Sequence, residues 1–103
     1  MVLAPLVATL LATSPATIDI IWAGDRARVD ERNIAVCNGS VDGRAAEAVL
    51  RTADRQIYIQ DPSVNGRCVS WPHYIPSGTR VQLKLCKFPS GQGPCSPWRQ
   101  EII

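Results

Sequence analysis

The first sixteen residues of the chain lack any charged side chain. Their apolar run, followed by the small residues Ser14-Pro15-Ala16, is typical of a secretory signal peptide. We predict that residues 1–23 form this leader, cleaved after Ala16 or after Ala23, and that residues 24–103 form a single domain. No Lys or Arg precedes the run, which leaves open the alternative of a buried first strand or helix. The run is shorter than the ~20 apolar residues that cross a membrane, so we predict no stable membrane span.

Closely spaced cysteine pairs are also absent. Gaps of 30, 17 and 8 residues separate Cys37, Cys68, Cys86 and Cys95, whereas a zinc site needs pairs such as C-x2-C. We therefore predict no metal site and no other cofactor. An even number of cysteines behind an apolar leader instead indicates two disulfides in an exported protein.

Four cysteines allow three disulfide pairings, and we favour Cys37–Cys68 with Cys86–Cys95. The eight residues between Cys86 and Cys95 include four that favour turns: Pro89, Gly91, Gly93 and Pro94. Loop-closure entropy gives about 3 kcal/mol for the shorter loop and roughly 4 kcal/mol for the longer one. Without its leader the chain would have only 80 of its 103 residues, a size at which such cross-links matter for stability.

Clusters of basic residues are missing as well. Eleven Lys and Arg against nine Asp and Glu give a net charge of +2, and the basic residues are spread along the chain. Binding to a phosphate backbone requires a concentrated basic stripe. We therefore predict no nucleic-acid partner.

The chain has little of what catalysis needs. His73 is the only histidine, and it follows Pro72 in a proline-bounded loop, where we expect it to make surface hydrogen bonds. No G-x-S-x-G turn presents a nucleophilic serine, and no spacing of the acidic residues singles out a pair for glycoside hydrolysis. We predict that the protein is not an enzyme and has no catalytic residue.

What is present is a series of short alternating runs separated by turn residues, a pattern that predicts antiparallel strands. The predicted strands cover residues 28–37, with a bulge near 31–33, and residues 56–60, 67–71, 79–86 and 100–103. Residues 44–51 are ambiguous, because their alanine, glutamate and leucine favour a helix while neither length nor flanking turns decide the matter. We predict an all-β fold, a small antiparallel β-sandwich stabilised by the two disulfides.

The aromatic residues of one loop are candidates for binding. Trp71, His73 and Tyr74 would make an exposed platform for sugar rings or for a partner protein. In the alternative interpretation Trp71 alternates into the core, and Trp98 packs over the second disulfide.

The segment from Lys87 to Pro94, KFPSGQGP, is another candidate binding element, and it includes Phe88. A disulfide between Cys86 and Cys95 would clamp both of its ends. Such pre-organisation is what a tight inhibitor presents to an enzyme cleft.

Six short motifs follow one another along the chain: Ile34 to Asn38, Val41 to Arg44, Tyr58 to Asp61, Asn65 to Cys68, Val81 to Cys86 and Cys95 to Trp98. Their order resembles a group of small secreted proteins from actinobacteria such as Streptomyces, over about residues 27–100. The chain departs from that group at Asn38, where Asp is common, and at the alanine-rich residues 45–48. The resemblance implies an all-β secreted domain with two disulfides and carries over no catalytic residue.

These observations predict a secreted, non-catalytic domain that binds a partner or is associated with the cell envelope. One alternative is inhibition of an extracellular protease or amylase through the loop from Lys87 to Pro94. Another is binding of carbohydrate or cell wall through Trp71 and Tyr74. The expected partner is an extracellular protein or a cell-wall glycan.

Overall fold

The computed structural model describes residues 17–39, 42–63, 67–88 and 93–103, which form eight strands and no helix. The strands are β1 (Ile18–Trp22), β2 (Asp25–Val29), β3 (Asn33–Cys37), β4 (Ala46–Arg51), β5 (Gln56–Asp61), β6 (Cys68–Pro72), β7 (Arg80–Lys87) and β8 (Arg99–Ile102).

Two four-stranded sheets pack face to face, and every strand pair is antiparallel. We call them sheet A, with the order β1-β2-β3-β6, and sheet B, with the order β5-β4-β7-β8. The prediction of an all-β antiparallel sandwich is confirmed.

The core lies between the sheets because successive side chains along a strand point to opposite faces. In β7, Val81, Leu83 and Leu85 are fully buried while the residues between them are more exposed, as the sequence pattern predicted. Sheet A contributes Ile34 and Val36 from its strand β3.

Residues 46–51 of the ambiguous segment form a strand. Ala46, Ala48 and Leu50 face the core, and β4 is hydrogen-bonded to β5 on one side and β7 on the other. A position in the middle of a sheet, which local composition does not reveal, outweighs the helix propensity of these residues.

The prediction of one bulged strand over residues 28–37 is wrong. The segment is a hairpin of β2 and β3 around residues 30–32. Asp30 makes the turn, because its Oδ1 accepts the backbone N–H groups of Arg32 and Asn33 at 2.8 and 2.7 Å. Burial alone would raise the pKa of the Asp30 carboxyl, but these two bonds and the nearby positive charge of Arg28 together hold it below its usual value.

The sandwich includes β1, which lies within the residues 1–23 assigned above to the leader. Ile18 and Ile20 are buried, opposite Val29 and Ala27 of β2. The two-residue turn after β1 has positive φ at both Ala23 and Gly24, which suits the twist of a tight hairpin. Cleavage after Ala23 would therefore remove a paired strand, whereas cleavage after Ala16 would leave it in place.

Both predicted disulfides are present. Cys37–Cys68 joins directly opposed residues of β3 and β6, and Cys86–Cys95 joins β7 to the segment that returns beside it. Each disulfide thus lies within one sheet. Neither connects sheet A to sheet B.

A buried lysine makes a polar connection between the sheets. Lys87, at the end of β7 in sheet B, places its Nζ 2.7 Å from Asp25 Oδ2 in sheet A and 2.8 Å from Asp42 Oδ2. It also donates to the carbonyl of Ala23 at 3.2 Å. Burial alone lowers the pKa of the Lys87 ammonium, but the two carboxylates raise it by more, so the pKa lies above the ordinary lysine value.

A second polar connection lies at the same end of the sandwich. The backbone N–H of Asn38, just after β3, donates to Asp61 Oδ2 of β5 at 3.1 Å. The Asn38 side chain donates to the carbonyl of Arg44 at 3.0 Å, and Ser63 donates to the other carboxylate oxygen of Asp61.

We predict that replacing Ile20 by Ala lowers the free energy of unfolding by about 2–5 kcal/mol, because Ile20 is buried against the core. The matched control is Ile21→Ala on the next position of β1, where the side chain is 77 % exposed, and its effect should stay within about 0.5 kcal/mol. Urea unfolding measures both. Equal effects of the two substitutions would contradict the assignment of β1 to the sandwich.

Candidate functional site

The strands β5 and β6 are edge strands of different sheets, and they lie against each other. The groove between them has a volume of about 440 Å³. Its lining consists of Ile57, Tyr58, Ile59, Gln60, Trp71 and Pro72. None of these side chains is charged, and we call this groove the aromatic edge.

Trp71 is exposed although it is on the inward face of its strand. It pairs with Ile34 of β3, so it shares a face with Val69, which packs against the core. Because β6 is the last strand of sheet A, Trp71 projects beyond the cover of sheet B and is 59 % exposed. The alternative in which Trp71 belongs to the core is wrong.

Tyr58 is the aromatic residue of this groove that the sequence analysis did not select as a binding candidate. It is 55 % exposed on β5, and its hydroxyl donates to Gln56 Oε1 at 2.6 Å. The alternation in the QIYIQ run could have identified Tyr58 as exposed. Because Ile59 points inward, its neighbour Tyr58 must point outward.

Tyr74 stands next to the aromatic edge and is the most exposed aromatic side chain, at 82 %. Its backbone has φ of 56°, in the left-handed region that residues other than glycine rarely occupy. This conformation allows the flanking residues His73 and Ile75 to be buried while Tyr74 points to solvent. Tyr74 and Pro72 also line a neighbouring groove of about 460 Å³, beside the β2–β3 turn.

The prediction that His73 lies at the surface is wrong, since its side chain is buried. The Ile75 backbone N–H donates to Nδ1 at 2.9 Å, so the ring proton is on Nε2, which donates to the Asp30 carbonyl at 2.8 Å. Arg55 donates to the His73 carbonyl at 2.8 Å. Both ring nitrogens are engaged, and His73 fastens the loop that carries Tyr74 to the β2–β3 turn.

Phe88 is at the opposite end of the sandwich from Trp71 and Tyr74. It is 41 % exposed, its N–H donates to Ala45, and its carbonyl accepts two bonds from the Arg44 guanidinium. Residues 89–92 of the loop from Lys87 to Pro94 lie outside the described residues. The structure therefore brings Trp71 and Tyr74 to one end and leaves Phe88 apart.

Trp98, which the alternative interpretation above placed over the second disulfide, does not belong to the buried core. It is half-buried on the outer face of sheet B, where the Arg51 guanidinium carbon lies 4.0 Å and the Lys84 Nζ 4.7 Å from the centre of a ring.

Within the four described ranges, no group of three or more His, Cys, Asp or Glu is placed to hold a metal ion. The same ranges contain no helix long and apolar enough to cross a membrane. Comparison of the chain with protein-family models and with curated proteins gives no match. The resemblance to actinobacterial secreted proteins stays a prediction.

We predict that His73→Ala lowers the free energy of unfolding by about 2–4 kcal/mol. The substitution removes two buried hydrogen bonds and leaves the Ile75 N–H without its acceptor. Tyr74→Gly, one residue away, should be neutral or stabilising by up to about 1 kcal/mol, since glycine adopts positive φ without strain. Chemical denaturation measures both. Wild-type stability of His73→Ala would refute the structural role assigned to His73.

Proposed function

We propose that the protein is a secreted, non-catalytic binding domain whose ligand is a neutral carbohydrate held at the aromatic edge. The observation that carries the proposal is the pair Tyr58 and Trp71. Both side chains are more than half exposed, and both line the same groove. Large aromatic side chains that remain exposed together mark a binding surface more often than chance.

The chemistry of the aromatic edge favours a sugar. The apolar face of a sugar ring stacks on an aromatic side chain, and hydroxyl groups need polar partners nearby. The Tyr58 hydroxyl oxygen and the Gln60 amide supply such groups at the groove, although the Tyr58 hydroxyl donates to Gln56 and the Gln60 nitrogen donates to Glu47 at 3.1 Å. The absence of charge among the lining residues favours a neutral ligand over an acidic one.

Secretion rests on the two disulfides and on the apolar leader. Disulfides in a small domain are typical of oxidising compartments. The resemblance to actinobacterial secreted proteins implies the same location.

Inhibition of an extracellular protease or amylase is the second candidate, and the anchoring of the loop after β7 favours it. The Cys86–Cys95 disulfide and the bonds of Phe88 to Arg44 and Ala45 fix the flanks of this loop. The Lys87 ammonium is buried in ion pairs, so an enzyme would meet Phe88 rather than Lys87.

We predict that Trp71→Ala weakens binding of neutral cell-wall oligosaccharides about tenfold or more, as the loss of a central aromatic contact does. Tyr58→Ala should weaken it to a similar degree. Trp98→Phe is the matched control, because Trp98 lies outside the groove, and it should retain wild-type affinity. Isothermal titration calorimetry across a panel of neutral oligosaccharides gives the affinities.

Absence of binding to every neutral oligosaccharide in the panel would overturn the proposal. Equal affinity of Trp71→Ala and wild type would overturn the assignment to the aromatic edge. Loss of amylase or protease activity on adding equimolar protein, abolished by Phe88→Ala, would favour the inhibitor instead.

A further inference from the structure

Three cations on the outer face of sheet B have no carboxylate partner. Arg80 and Lys84 alternate with the buried Val81, Leu83 and Leu85 of β7, so they point outward. Arg51 lies opposite Gln82 and shares that face. The described ranges include every Asp and Glu of the chain, and none of them forms an ion pair with these three cations.

Arg51 is held in place entirely by neutral groups. Its Nε and Nη2 donate to Gln82 Oε1 at 2.9 and 2.8 Å, and its guanidinium stacks on Trp98. Lys84 approaches the same indole, so two positive charges share one aromatic side chain. Two cations that contact one aromatic side chain, neither of them paired with a carboxylate, make this face attractive to an anion.

A groove of about 390 Å³ opens beside Arg51. Its lining is Arg51, Thr52, Ala53, Arg80, Gln82 and Gln100. Two guanidinium groups thus face a shared space with two amides and a hydroxyl. The Arg80 side chain is exposed and forms no hydrogen bond or ion pair with any part of the chain that the structure describes.

We propose that this groove is a second binding site, which takes the carboxylate of an acidic sugar such as a uronic acid. A guanidinium presents paired N–H donors that match a carboxylate, and because Gln82 occupies the Nε–Nη2 side of Arg51, the Nη1–Nη2 edge is the one left for that contact. Gln100 supplies a hydrogen-bonding amide for the hydroxyls of the same sugar, and so does the Gln82 NH2 group, whereas the Gln82 oxygen is bonded to Arg51 and the Thr52 hydroxyl donates to Asp54. This site goes beyond the neutral ligand proposed for the aromatic edge and uses none of its residues.

The test is a calorimetric titration of the full chain with oligogalacturonate at low and moderate salt. Arg80→Gln should weaken binding about tenfold, because the ligand loses one charged hydrogen-bonding partner. The substitution should leave the fold unchanged, since the exposed Arg80 side chain makes no hydrogen bond or ion pair with the described residues. Arg51→Lys should weaken it to a similar degree, because it keeps the charge and loses the planar fork. Circular dichroism verifies that each variant is folded.

Arg28→Gln is the matched control, because Arg28 is an exposed arginine of sheet A and its loss changes the net charge equally. It should bind oligogalacturonate as wild type does. Trp71→Ala should do so too, which separates this site from the aromatic edge whether or not neutral sugars bind there.

No saturable binding of oligogalacturonate by wild type would overturn the proposal. An equal loss of affinity in Arg28→Gln and Arg80→Gln would overturn it, since net charge would then explain the binding. Wild-type affinity in Arg51→Lys would overturn the role of the guanidinium. Tighter binding of polyphosphate than of oligogalacturonate would overturn the assignment to a carboxylate sugar.

Discussion

The ion pair between Lys87 and Asp25 is the contact that fixes sheet A against sheet B. Both disulfides lie within a sheet, so the described parts of the two sheets are held together by the apolar core and by polar contacts, among them those of Lys87 and Asn38 at one end and the bond from Arg55 to the His73 carbonyl at the other. Hydrophobic burial is non-directional and tolerates sliding, whereas a buried ion pair requires a particular geometry. The Lys87 and Asp25 side chains are 6 % and 0 % exposed, which leaves water little access to replace either partner.

The strands of this sandwich have one cross-linked end and one open end. Both disulfides, the Lys87 ion pairs and the Asn38–Asp61 bonds gather where β3, β5 and β7 finish. Trp71, Tyr74 and Arg80 lie toward the other end, where the loops are held by His73 and by the backbone bonds of Ile103. The cross-links are thus separated from the surfaces proposed above to bind a ligand.

Alternation and turn residues were sufficient to predict most of the sandwich. The β7 pattern and the turn-rich stretch between Cys86 and Cys95 led directly to a strand and to a disulfide. What could not be predicted depends on neighbours distant in sequence. The central position of β4 outweighs its helix propensity. Trp71 alternates with inward-facing residues, but its strand is at the edge of the sheet and its side chain is exposed. Likewise, the sequence places Lys87 in a candidate binding loop, because its partner Asp25 is 62 residues away and local sequence does not reveal the ion pair.

A double-mutant cycle on Asp25 and Lys87, followed by urea unfolding, tests the role of this contact most directly. Asp25→Asn removes the charge but keeps the oxygen that accepts from Gly39, and Lys87→Met keeps the apolar stem. Lys87→Met alone should cost about 3–5 kcal/mol, because it removes the cation that the buried Asp25 carboxylate contacts. The coupling energy should be about 2–3 kcal/mol. Single substitutions that each cost less than about 1 kcal/mol and add without coupling would contradict the account.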